Sequence, residues 1–233
     1  MKTEVSNHPF YQAQIRNRGR EDPIFPLGEI RAQVILKLVG RGKKILDLGC
    51  GTGWLTKRLE KVGNHLLGLD ISPQTVKQLK KKGITAYVCN LELDKWPIKG
   101  NSFDTVVAAE IIEHLLDPDQ FLKNIRRVLK NGGQLILSTP NTASLGRRLL
   151  LLLGRNPLLE ISYDPTGGGH VRYFCKIDLL YLLEKHRFRT EVFTSDVILF
   201  NSDGSLRSSF WARIFPSFGK SLIIKATKLP NNQ

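Results

Sequence analysis

The chain has 233 residues, of which 41% are hydrophobic and 24% charged. That length supports one domain with a substantial core, and the composition argues against wholesale disorder and against a membrane-spanning protein. The formal net charge of +14 suits an anionic lipid, nucleic acid or phosphorylated partner, or solubility alone. Most of the positive excess lies in residues 1–44 and 146–233, flanking the middle of the chain. Met1 to Phe10 are polar and lack the apolar centre of a secretion signal, while Cys50, Cys89 and Cys175 are widely spaced with no C-x-x-C pair. Reduced thiols and a cytoplasmic location are expected.

Residues 1–28, with Pro9, Pro23, Pro26 and the basic run Arg16, Arg18, Arg20, predict a loose arm with one short helix around Tyr11 to Arg18. Leu27, Ile30, Val34, Ile35 and Leu38 recur at helical spacing up to Gly40. Ile45 to Leu48 is an apolar β-type run, and Leu55, Leu59 and Val62 continue as a helix that stops at Gly63. His65 to Asp70 reads as a second strand. Ser72-Pro73 then supplies the cap and first residue of a helix ending in Lys80-Lys81-Lys82-Gly83. Ile84 to Val88 and Thr105 to Ala109 are the third and fourth strands. Asp117-Pro118-Asp119-Gln120 starts a helix that buries Phe121, Leu122, Ile125, Val128 and Leu129 and ends at Asn131-Gly132-Gly133. Gln134 to Ser138 is the fifth strand; Phe188 to Phe200 and Ser221 to Lys225 are the sixth and seventh. Strands alternating with helices imply an α/β fold with a Rossmann-like, doubly wound sheet.

Between the first strand and its helix stands Asp47-Leu48-Gly49-Cys50-Gly51-Thr52-Gly53-Trp54. Alternate glycines at a strand–helix turn allow positive φ and close approach of a ligand to the backbone, beside the free N–H groups of a helix start. The spacing is G-x-G-x-G, and Trp54 stands where a dinucleotide fingerprint would place its third glycine. Asp70 ends the second strand, 23 residues after Asp47, where an acid can accept hydrogen bonds from both hydroxyls of a ribose. In a doubly wound sheet, ligands bind outside the carboxyl ends of the strands. Asp47, Asp70, Asn90, Glu110 and Pro140-Asn141 all fall there.

Residues 43–141 resemble the core of the class I S-adenosylmethionine-dependent methyltransferases, in the broad group containing the ubiquinone- and menaquinone-pathway enzymes. Gly169-His170-Val171-Arg172-Tyr173-Phe174 is a phrase that recurs in that group. The resemblance implies a seven-stranded, mostly parallel sheet with an antiparallel last strand and a helical insertion after the fifth strand. It divides one domain into an arm (1–28), a cofactor core (29–141), an insertion that selects the acceptor (142–174) and the end of the sheet (175–233). It implies S-adenosyl-L-methionine as cofactor, held by Asp47, Gly49, Cys50, Gly51, Gly53, Asp70, Ile71, Asn90, Leu91 and Glu110. Many relatives have Asp where Asn90 stands; its amide oxygen can still accept from the adenine amine.

Methyl transfer from a sulfonium needs the acceptor held in line, and a hydroxyl acceptor also calls for a base. His114 and His170 are the candidates, although each could instead serve its own helix or loop. Glu110, Glu113 and His114 form E-x-x-E-H, which would share one face if helical. Similar clusters in ubiquinone-pathway relatives are implicated in divalent-metal binding, but no metal is expected here. The apolar, arginine-edged segment Leu145 to Leu153 is too short to span a bilayer. It reads either as a lid or as an interfacial helix giving peripheral contact with the inner membrane surface. The expected function is methyl transfer to a small or lipid-like acceptor, at oxygen. A non-catalytic cofactor-binding protein and an RNA methyltransferase are the alternatives, the latter without a recognised RNA-binding module.

Overall fold

The computed structural model describes residues 25–92, 95–157, 169–201 and 205–230. The predicted helix around Tyr11 to Arg18 lies outside them. Helix α1 (Phe25–Val39) leads into β1 (Lys44–Leu48), α2 (Trp54–Lys61), β2 (His65–Asp70), α3 (Pro73–Lys81) and β3 (Ala86–Val88). The chain then crosses to β4 (Phe103–Ala109), a 3-10 turn (Ile112–His114), α4 (Pro118–Val128) and β5 (Leu129–Pro140). After α5 (Leu145–Leu152) and α6 (Lys176–Lys185) come β6 (Phe188–Thr194), β7 (Ile198–Leu199), β8 (Arg207–Ser208), α7 (Ser209–Ile214), a 3-10 turn (Pro216–Phe218) and β9 (Ser221–Lys228).

The seven-stranded sheet runs β3-β2-β1-β4-β5-β9-β6, with β9 antiparallel to both its neighbours and the other pairings parallel. Strand order reverses between β1 and β4, which makes the crevice at their carboxyl ends the topological switch point. Period-two alternation sorts the core: Leu46, Leu48, Val106, Leu135 and Leu137 join one apolar cluster, and Ile45, Val107 and Ile136 join the other. Burial on both faces of the sheet leaves only Lys44 of β1 exposed, and Ile45, Leu46 and Leu48 supply its apolar side chains. Each fully buried aliphatic side chain contributes about 1.5–3 kcal/mol to holding the helices on the sheet. The caps at Ser72, which accepts from the Thr75 N–H, and at Asp117, which accepts from the Gln120 N–H, fix where α3 and α4 begin.

Two elements differ from expectation. The Asn131-Gly132-Gly133 turn does not delay β5: Leu129 already pairs with Phe103, and the register slips before Gln134 pairs with Thr105. Gly132 has φ +70°, and a Cβ on Gly133 would meet the Lys130 carbonyl oxygen at 2.8 Å, so the glycines form a bulge within the strand. The predicted strand from Phe188 to Phe200 breaks in two. Buried Asp196 turns its Oδ1 onto the N–H groups of Val197 and Ser221, and Ile198–Leu199 leave the main sheet to pair with Arg207–Ser208.

Candidate active site

The glycine loop closes over the carboxyl ends of β1 and β2. The N–H groups of Gly49 and Cys50 both donate to the Leu69 carbonyl, at 2.8 and 3.1 Å, and Gly53 N–H returns to Cys50 at 2.9 Å. Gly49, Gly51 and Gly53 all have positive φ. Their surroundings differ. A Cβ on Gly53 would collide with Leu79 and lie 2.8 Å from Ile84 Cδ1, whereas one on Gly51 would meet only the Gly49 carbonyl oxygen, at 3.9 Å. Gly53 thus lets Leu79 of α3 and Ile84, just before β3, pack against the loop, while Gly51 leaves an open cradle. Gly53 also precedes α2 without any side-chain cap.

Both acids of the sequence motif are buried, at 3% exposure for Asp47 and 1% for Asp70. Asp70 Oδ2 accepts from Gly51 N–H at 2.9 Å and Oδ1 from Ser72 N–H at 3.0 Å, so this carboxylate fixes the loop and the start of α3 together. Asp47 lies on the sheet face that α2 covers and accepts from the Thr56 hydroxyl at 2.6 Å. Burial raises its pKa to about 7; the Thr56 hydrogen bond opposes that shift and the nearby Asp70 adds to it. Cys50 is buried too, and a Cβ at Gly68 would come within 2.7 Å of its Sγ. Glycine inside β2 is therefore the seat of Cys50, which the sequence signalled only as an unusual residue within a strand. Ile71 is half-buried beside Asp70.

Further along the same edge, Asn90 Oδ1 accepts from Glu92 N–H at 3.0 Å, the buried Leu91 carbonyl accepts from Trp96 Nε1–H at 3.2 Å, and Glu92 Oε1 accepts from Leu116 N–H at 2.7 Å. Asn90 thus shapes the turn after β3 with the same amide oxygen that the resemblance assigns to adenine.

Glu110, Glu113 and His114 do not share one helical face. Glu110 has φ +53°, a left-handed backbone uncommon outside glycine, and the 3-10 turn begins only at Ile112. Glu110 pairs with Arg31 at 2.9 Å and accepts from the Ser138 hydroxyl at 3.0 Å. Arg31, on α1, was not singled out in the sequence. With the neighbouring Glu29–Arg58 pair at 2.8 Å, and Arg58 stacked 3.8 Å over Trp54, it straps α1 across the site.

Glu113 and His114 meet His170 instead. The Val171 and Arg172 N–H groups both donate to the Glu113 carbonyl, docking the Gly169–Phe174 phrase on the 3-10 turn. His114 Nδ1 lies 3.1 Å from the Gly169 carbonyl, and the His114 and His170 rings are 4.9 Å apart. A carbonyl only accepts, so Nδ1 carries a proton, and in the neutral form of His114 the lone pair is on Nε2. That Nε2 is 4.0 Å from Glu113 Oε1. Glu113 is 2% exposed; its Oε2 accepts from the Thr139 hydroxyl at 2.9 Å, and its Oε1 is buried without a hydrogen-bond partner. Burial and the charge of Glu110 hold the Glu113 carboxyl well above the usual range. Donor atoms of Glu113, His114 and His170 lie within 4.8 Å of one another. His114 and His170, far apart in the sequence, are thus brought together, and Glu113 joins them.

A doubly wound sheet with a glycine cradle at its switch point and acids at its strand ends defines a binder of an adenosine-type cofactor. The methyltransferase-domain family model matches residues 46–137. Ubiquinone biosynthesis O-methyltransferase of Xanthomonas oryzae pv. oryzae is 31% identical over 164 residues, covering 68% of this chain and 67% of that protein. The mitochondrial ubiquinone biosynthesis O-methyltransferase of Schizosaccharomyces pombe is 32% identical over 145 residues, 60% of this chain and 52% of that protein. This chain therefore matches about half the length of the yeast protein. In fold, an S-adenosylmethionine-dependent methyltransferase from Thermotoga maritima superposes with a TM-score of 0.68 at 21% identity, covering 94% of this chain and 99% of the other.

The chain belongs to the S-adenosylmethionine-dependent methyltransferases, and S-adenosylmethionine is its cofactor.

Proposed function

We propose that the protein methylates a hydroxyl group on a small, lipid-like acceptor of phenol or quinol type. The observation that carries this reading is the cluster of Glu113, His114 and His170 beside the carboxyl ends of β4 and β5. Relatives named for O-methylation in ubiquinone biosynthesis support it.

The open face at Gly51 and the uncapped start of α2 fit the cofactor. Main-chain groups of Gly49, Cys50, Gly51 and Gly53 would hold the methionine and ribose portions, with Asp70 and Ile71 at the ribose. Asn90 and Leu91 would hold the adenine, and Glu110 would close the pocket at β4. Asp47 acts from beneath, through Thr56 and the loop it supports. When bound, S-adenosylmethionine supplies an electrophilic methyl group on a sulfonium, so the protein's task is alignment and removal of the acceptor's proton.

His114 suits that proton transfer. Its Nδ1–H is fixed by the Gly169 carbonyl, so in the neutral ring Nε2 is the atom that takes the acceptor's proton, with Glu113 Oε1 4.0 Å from it. His170 is the second base candidate and packs against the first ring.

A second reading has an observation of its own. Two imidazoles with the unpartnered Glu113 Oε1 form a donor set suited to a divalent metal, in contrast to the expectation of none. Such an ion would polarise the acceptor oxygen and lower its pKa.

The test is incubation with methyl-labelled cofactor and catechol or quinol acceptors, with and without an apolar tail. Label on acceptor oxygen, with S-adenosylhomocysteine released, is expected. Cofactor binding with no turnover on any acceptor would favour a binding-only protein, and label entering RNA would favour the nucleic-acid alternative.

A further inference from the structure

Between β6 and β9 the chain leaves the main sheet and builds a second small unit, the β7–β8 ribbon with α7 and a 3-10 turn. The break at Asp196 is what turns Ile198 and Phe200 out of the expected sixth strand. Trp211 stacks on Phe215 with ring centroids 6.0 Å apart, and Phe215 meets Phe218 edge-on at 6.4 Å. Facing this aromatic wall is α5, none of whose residues is buried, so it is not a lid sunk into the core. Its Arg148 guanidinium lies 4.7 Å from the Phe218 ring centroid. Leu145, Ile198, Phe200, Trp211, Phe215 and Phe218 line a cleft of about 240 Å³ between the two units, and every one of them is apolar.

Size and place say what such a cleft takes. It exceeds the ~150 Å³ of a cavity that admits benzene, and falls short of the roughly 300–1,000 Å³ of a pocket for a whole drug-sized ligand. It therefore has room for an apolar portion of a molecule whose remainder is bound elsewhere. Its side chains give a hydrocarbon chain burial and give a polar group no partner. The cleft also hangs from the strand end that carries the catalytic cluster. The Thr139 hydroxyl donates to Glu113 Oε2 at 2.9 Å. Asn141, two residues on, bridges to Phe174 at the end of the phrase that bears His170. The Asn141 Nδ2 donates to the carbonyls of Ser217 and Gly219 at 3.0 and 2.8 Å. Even a fully extended chain puts Leu145 no more than about 22 Å from Thr139.

We propose that this cleft is the subsite for a hydrocarbon tail on the methyl acceptor, which makes the β7–β8–α7 unit a specificity-determining part of the enzyme. The inference rests on the reading of a lipid-like acceptor and adds where the tail lies. The histidine cluster and the cofactor hold the reacting ring at one end, and the aromatic wall holds the tail at the other. Two points of attachment fix the acceptor's direction as well as its position, which is the alignment that methyl transfer needs. An acceptor without a tail loses one of the two.

The test uses the full chain with catechols bearing no tail or a butyl, octyl or dodecyl tail, and a dodecyl catechol brominated at the tail end. The brominated tail should quench Trp211, which is 46% exposed and lines the cleft, and Trp211→Phe should remove the quenching. Binding should tighten about fourfold for each methylene that enters the cleft and level off once it is full. Phe200→Ser takes away part of the lining, and Leu145→Trp fills the space. Each should lower the preference for dodecyl over tail-less catechol by about tenfold or more, in Kd and in kcat/KM. Calorimetric binding of S-adenosylmethionine shows that each variant is folded. Quenching that is lost in both variants, while no catechol is methylated on oxygen, would uphold the cleft and overturn the proposed reaction. Methylation of catechol with no preference for a tail would do the reverse. No quenching in the wild type, or an unchanged tail preference in the two folded variants, would overturn the tail subsite. A dimer in sedimentation velocity that Phe200→Ser abolishes would then assign the cleft to a second copy of the chain.

Discussion

Asp70 Oδ2 accepts a hydrogen bond from the main-chain N–H of Gly51 at 2.9 Å. The acid that ends β2 thereby holds the loop that follows β1, and through Ser72 N–H it holds the start of α3 as well. The two sequence features from which cofactor binding was expected are a single hydrogen-bonded unit.

Replacing Asp70 with Ala removes both a ribose acceptor and the anchor of the loop. S-adenosylmethionine binding should weaken by about 1.5–3 kcal/mol, the range for hydrogen bonds to a charged group. Calorimetry showing wild-type affinity in a folded variant would remove Asp70 from the ribose site, and a wild type that bound NAD instead would contradict the cofactor altogether.

The glycines of the loop should separate in their effects. Gly53→Ala places a methyl against Leu79 and Ile84 at φ +77° and should lower stability by about 1–3 kcal/mol. Gly51→Ala meets open space, so its stability cost should be nearer the ~1–2 kcal/mol of a left-handed backbone, with the larger loss in cofactor affinity. Thermal melts and calorimetry on both variants check this; equal losses of affinity per unit of stability would refute the division.

Asp47 predicts a pH dependence. Its carboxyl is raised from 3.8 unfolded to about 7 folded, so between those values the folded protein keeps a proton that the unfolded chain has lost. Its stabilising contribution is complete below the unfolded value and is lost as pH rises through about 7. Glu113 shifts in the same direction. Denaturation of the cofactor-free protein should show stability falling as pH rises from about 4 to about 7, with a shallower slope in Asp47→Asn. Parallel curves for variant and wild type would show that Asp47 is not the group.

The cluster at the acceptor side gives a fourth expectation. His114→Ala should lower turnover on a hydroxyl acceptor about a hundredfold or more while sparing cofactor affinity, with His170→Ala as the companion variant. Glu113→Gln keeps the shape and tests the carboxylate. If turnover is also abolished by a chelator and restored by a divalent ion, the cluster works as a metal site; insensitivity to the chelator leaves His114 as a base. Wild-type rates in both histidine variants would leave alignment alone as the mechanism.

The strand–helix alternation, the glycine spacing and the acid at the end of β2 were legible because each is set by local chemistry. Periodicity marks buried faces, glycine marks positive φ, and strand ends in a doubly wound sheet face one crevice. The antiparallel direction of β9 was legible only through the family resemblance, and its place between β5 and β6 came only from the structure. Other features had no local signal. Asp196 broke the expected sixth strand because its partner, Ser221 N–H, lies 25 residues away in sequence. Glu110 left the expected helical face because Arg31 and Ser138 hold it elsewhere.

By itself, then, the sequence determined the sheet, the cofactor cradle and the apolar helix of leucines, all products of short-range pattern. Tertiary structure decided which groups share a site. It brought His170 to His114 by docking two N–H groups on the Glu113 carbonyl, and left Glu113 Oε1 buried beside them. It also set α5 against β7 and the Phe218 ring with its leucines outward. Long-range pairings depend on where the sheet places its strand ends, and no window of sequence contains both partners.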